Sequence, residues 1–88
     1  MMRLEIVAGR SEARVVVAEG RRAIAEKSFP SDRFLSRELL IAINTLLKEQ
    51  HIEPSVIKEV AVEEDAASFS AARTARITAE MLREAWAL

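Results

Sequence analysis

The sequence predicts a two-layer α/β domain of order βββαβα, and three observations carry that prediction. Residues 3–29 hold three short runs dense in apolar and β-branched side chains. Residues 35–47 switch to a helical period, and residues 67–79 carry an alanine at every fourth position, Ala67, Ala71, Ala75 and Ala79.

In chain order, RLEIVA (3–8), ARVVVAE (13–19) and RAIAEKSF (22–29) read as strands, the last two joined by the turn signal Glu19-Gly20-Arg21. Such runs form an antiparallel meander. Pro30 is a stop and Ser31-Asp32 an N-cap signal, after which apolar residues at 35, 39, 40, 43, 46 and 47 predict an amphipathic helix over about 32–50. His51 stands where a left-handed residue closes a helix. VIKEVAV (56–62) predicts a fourth strand, and a second helix runs from about residue 66 almost to residue 88. One crossover through each helix implies a mixed sheet of order 3-2-1-4 with both helices on one face. The other face stays open to water, which suits the charges of Glu5, Arg14 and Lys58.

An 88-residue chain that is 50% hydrophobic supports one domain, residues 1–88. Its 13 basic residues against 14 acidic ones leave a net charge of -1, which disfavours direct binding to a phosphate backbone. There is no cysteine, hence no disulfide, thiol nucleophile or zinc-thiolate site. No long apolar run marks a leader or a membrane span, so a cytoplasmic, soluble protein is expected.

Met2-Arg3-Leu4, Leu35-Ser36-Arg37-Glu38-Leu39-Leu40, Leu46-Leu47-Lys48-Glu49 with Ile52, Ile57-Lys58-Glu59-Val60-Ala61-Val62, and Ser68-Phe69-Ser70-Ala71-Ala72-Arg73 together resemble the amino-terminal lobe of the TsaB proteins. The resemblance covers essentially the whole chain. It implies a ribonuclease-H-like lobe of the actin-like ATPase superfamily, in a non-catalytic partner of the machinery that makes threonylcarbamoyladenosine in transfer RNA. The family string G-P-G-S-F-T-G-L-R-I-G corresponds here to residues 65–75, DAASFSAARTA. Departures are as informative. The family's second lobe is lacking, as are a fifth strand and third helix, so a half-protein is expected. The D-T-S motif falls on Ala8-Gly9-Arg10 and H-S-E on Leu35-Ser36-Arg37, which removes the acidic residue that catalytic relatives place near metal and phosphate.

The loop before the second helix tests for phosphate binding. Glycines entering a helix aim bare N–H groups at an anion, but here Glu63-Glu64-Asp65 bring three carboxylates that repel one. Asp65 reads as an N-cap with two solvated neighbours, in preference to a metal site of Glu63, Glu64 and Asp65, because consecutive strand residues rarely converge on one ion. His51, the only histidine, has no evident partner for acid–base work. Ser68, Ser70, Thr74 and Thr78 have no activating base. No catalytic residue, cofactor or metal site is therefore expected.

A protein-interaction surface is expected in their place. Ala67, Ala71, Ala75, Thr78, Ala79, Leu82 and Trp86 share a stripe that serves either internal packing or the close approach of a second helix. Phe34 and Ile41 stray from the Leu39-Ile43-Leu47 stripe of the first helix, and Phe69 and Ile77 stray from the apolar arc of the second. With Arg73 and Ala75 they make the candidate interface. In the resembled family the same helix pair docks on a homologous lobe, which implies a homodimer or a heterodimer with a TsaD-type subunit. Two other readings are a self-associating structural module unrelated to transfer RNA and a degenerate ribonuclease-H-like or actin-like enzyme.

Overall fold

The computed structural model describes residues 1–33, 36–65 and 67–88. The elements are β1 (Met2–Gly9), β2 (Glu12–Glu19), β3 (Arg22–Pro30), α1 (Ser36–Glu49), β4 (Ile57–Asp65) and α2 (Phe69–Ala85), with 3-10 turns at Ser31–Arg33 and Pro54–Val56. The sheet order is β3-β2-β1-β4, as expected, with β1 antiparallel to β2 and parallel to β4. All three predicted amino-terminal strands form. Among the described residues, no helix is long and apolar enough to cross a membrane.

The two hairpins depend on their glycines for different reasons. Gly20 has φ +62, which a side chain makes costly. Gly9 needs space instead: a Cβ there would lie 2.3 Å from the carbonyl oxygen of Glu12.

Alternation along β1 and β2 sends Leu4, Ile6, Ala8, Ala13, Val15 and Val17 toward the helices. They meet Leu39, Ile43, Leu46 and Leu47 of α1 and Ala71, Ala75, Ala79 and Leu82 of α2 in one continuous core. On the opposite face Val7, Val16 and Ala18 are buried without a helix above them. The same face carries the ion pairs Arg3–Glu5 (2.7 Å) and Arg14–Glu26 (3.7 Å), whose long side chains shield aliphatic neighbours while their charges stay in water.

Both helices close in the same way. His51 has φ 54, its N–H donates to the Lys48 carbonyl (3.1 Å), and the Ile52 N–H reaches the Leu47 carbonyl (2.9 Å). That is a Schellman closure with Ile52 folded back on the core, the structural role expected of His51. Ala87 (φ 57) repeats it, with Ala87 N–H on Glu84 and Leu88 N–H on Arg83.

The helix starts differ from expectation. Ser31 opens only the short 3-10 turn, because its hydroxyl donates to the Arg10 carbonyl (3.0 Å) and its N–H to Ser11 (3.2 Å), tying it to the β1–β2 turn. The helix proper begins at Ser36. At α2 the cap is Ser68, not Asp65: the Ser68 Oγ accepts from the Ala71 N–H at 3.1 Å. Asp65 is held extended as the last residue of β4, opposite Gly9, so the ladder outcompetes a cap at that position.

Candidate interaction surface

α2 lies on β4 and β1 with its alanine row turned inward. Ala71, Ala75 and Ala79 are buried because only a methyl group fits between the helix axis and the sheet beneath it. Ala75 is 0% exposed, so its place in the candidate interface is corrected: it is an internal core residue, out of reach of a partner.

The outer side of the same helix is different. Phe69, Arg73, Ile77 and Met81 stand at i, i+4, i+8 and i+12, which makes one ridge roughly 18 Å long. Phe69 is 77% exposed, Ile77 42% and Met81 47%, and Arg73 is exposed between them. On α1, Ile41 is exposed as well. Phe34 lies outside the described residues.

Between the helices an apolar cavity of about 370 Å³ is lined by Leu40, Ile41, Ile43, Leu47, Leu82 and Trp86, with Asn44 and Pro54 at its polar margin. Met81 and this cavity were not anticipated from the sequence. Met81 had a signal, its place four residues after Ile77, whereas the cavity is lined by residues of α1, α2 and the turn at Pro54 that are distant in sequence.

The other candidates stay apart. Glu63, Glu64 and Asp65 are exposed, and Glu64 pairs with Arg76 at 3.9 Å. Asp65 borders a polar hollow with Gly9, Arg10, Ser11, Glu12 and Arg14, in which acids and bases offset one another. Among the described residues no three of His, Asp and Glu are placed to hold a metal ion. His51 is exposed at the end of α1, and Ala8 is buried at the end of β1, where the D-T-S motif would begin.

No protein-family model and no curated protein sequence matches the chain. Solved structures do match. YeaZ (TsaB) from Pseudomonas aeruginosa superposes with a TM-score of 0.83 at 20% identity, over 98% of this chain and 40% of that one. The chain has the fold of a YeaZ lobe. A second solved chain, described as an uncharacterized protein with similarity to peptidase YEAZ from Pseudomonas aeruginosa, gives a TM-score of 0.83 at 20% identity, covering 98% of this chain and 39% of its own. The chain thus spans about 40% of the length of the YeaZ structures it matches. The YeaZ likeness bears out the four-stranded sheet and its two helices as the expected lobe fold.

Proposed function

We propose that the chain is a non-enzymatic interaction lobe of the TsaB type, which docks α2 and the neighbouring Ile41 onto a TsaD-type partner in the formation of threonylcarbamoyladenosine in transfer RNA. The observation that carries this reading is the ridge Phe69–Arg73–Ile77–Met81, which sets three exposed apolar side chains in a row with one arginine on an element whose inner face is already satisfied. A stripe of that length on one helix face is costly to leave in water and fits a partner helix. The likeness to a YeaZ lobe is what supports the choice of partner class. The fully buried Ala8 at the end of β1, in place of a carboxylate, supports a role without nucleotide chemistry.

Co-expression with a TsaD-type protein from the same genome tests the reading. A stable heterocomplex is expected, lost on Ile77→Glu because the unpaired charge would be buried at the contact. Separate purification of the two proteins, or binding that tolerates the glutamate, would overturn it. Titration with ATP and magnesium is expected to show no saturable heat.

One feature favours self-association as a second reading. The outer side of α2 carries Arg73 in its first half and Glu80 and Glu84 in its second. Two copies crossing antiparallel at Ile77 bring each Arg73 toward the acidic half of the other, and both helix dipoles favour that direction.

A further inference from the structure

The chain has no cysteine, so its sulfur lies in three methionines, Met1, Met2 and Met81. Their surroundings differ. Met2 is partly buried and packs against the hydrophobic core, and Met1 is exposed ahead of β1, where its carbonyl accepts from the Gly20 N–H. Met81 is exposed on the outer ridge of α2, one turn after Ile77. It is the thioether that is both open to an oxidant and part of the docking face.

A thioether is a soft apolar contact until it is oxidised. Hydrogen peroxide, the simplest hydroperoxide, changes its character: the sulfur lone pair attacks one peroxide oxygen, the S–O bond forms as the O–O bond breaks, and the second oxygen leaves as water after taking the proton of the first. The product sulfoxide accepts hydrogen bonds and donates none. Nothing on α2 around residue 81 satisfies it. Glu80 and Glu84 are the exposed polar side chains within one turn, and as carboxylates they only accept. Thr78 is sealed beneath the helix, and Arg83 is turned to the other flank, with Nε (3.1 Å) and Nη2 (2.6 Å) both donating to the Val60 carbonyl. Water solvates the sulfoxide oxygen on the free protein, whereas a partner laid over the ridge removes that water and leaves a buried acceptor unpaired.

We propose that Met81 is a redox-sensitive modification site that controls docking: the thioether permits the contact and the sulfoxide releases it. The inference rests on the docking reading above and takes the same TsaD-type partner. The change is reversible, because thiol-dependent reductases specific for each sulfoxide epimer return the sulfur to the thioether.

The test treats the protein with hydrogen peroxide until mass spectrometry of its peptides shows Met81 converted, and measures its affinity for the TsaD-type protein by calorimetry before and after. Oxidation is expected to weaken binding at least tenfold, and treatment with the two reductases to restore it. Met81→Leu keeps Met1 and Met2 as oxidisable sulfurs, and after the same peroxide treatment it is expected to bind as the untreated protein does. Met81→Gln, which sets a polar group at the position without any oxidant, is expected to weaken binding at least tenfold with an unchanged circular dichroism spectrum. It carries the test if the peroxide-treated protein is unfolded. An untreated protein that forms no complex overturns the docking reading and this proposal with it. A complex that keeps its affinity when Met81 is a sulfoxide or a glutamine, or whose sensitivity to peroxide survives in Met81→Leu, overturns this proposal alone.

Discussion

Ala75 and Ile77 stand two residues apart on α2 and face opposite ways: Ala75 is sealed against the sheet, while Ile77 projects from the outer ridge. Two positions of a helix separated by about 200° cannot share a neighbour, so their substitutions separate folding from association.

Ala75→Leu is expected to destabilise the fold by about 1–3 kcal/mol, since extra methylenes in a filled site force neighbours off their rotamers. Ile77→Glu is expected to change stability by about 0.5 kcal/mol or less. Urea denaturation of the two variants checks the contrast. Equal losses would mean that Ile77 is part of the core.

Thr78 is 0% exposed and its hydroxyl has no hydrogen-bond partner. A buried, unsatisfied hydroxyl costs about 1–3 kcal/mol, and valine offers nearly the same shape without it. Thr78→Val is therefore expected to stabilise the protein by about 1 kcal/mol, read as a higher denaturation midpoint with unchanged slope. A lower midpoint would show that the hydroxyl is satisfied in solution.

His51 holds a left-handed conformation at the end of α1. That geometry costs a side-chain-bearing residue about 1–2 kcal/mol, against which glycine loses about 0.5–1 kcal/mol through greater freedom when unfolded. His51→Gly should raise stability by about 0.5–1 kcal/mol in thermal or chemical denaturation. A fall would mean that the imidazole makes contacts of its own worth more than the strain.

Gly9→Ala places a methyl group 2.3 Å from the Glu12 carbonyl oxygen, which is backbone and cannot swing away. The β1–β2 turn must open, at a cost of roughly 2 kcal/mol or more. Amide exchange in β1 and β2 should speed up before exchange in α1, because the lesion is local to the hairpin.

Much of the fold was legible in local pattern. The valine-dense runs, the Glu19-Gly20-Arg21 turn and the helical spacing after residue 35 each depend on neighbours a few positions apart, and all four strands and both helices appear where those patterns lie. Even the sheet order followed, because short antiparallel turns and two helical crossovers leave few arrangements. Phe69, Ile41 and Ile77 were recognisable as stray apolar residues because an amphipathic helix has a single buried arc, and the structure leaves all three exposed.

Tertiary structure decided which of two available partners each ambiguous group took. Asp65 and Ser68 both qualify as helix caps by residue type, but only pairing with β1 at Gly9 holds Asp65 extended and passes the cap to Ser68. Ser31 is likewise a cap by type, yet its hydroxyl goes to Arg10, twenty-one residues earlier in the chain. The alanine row reads equally well as an inward or an outward small-residue stripe, and it faces inward because α2 settles closely on β1 and β4. Arg83 carries no local sign that it will hold the carbonyl of Val60. Helical periodicity states that two faces differ; which face meets the sheet depends on the volume available between elements distant in sequence, and that volume exists only once the chain has packed.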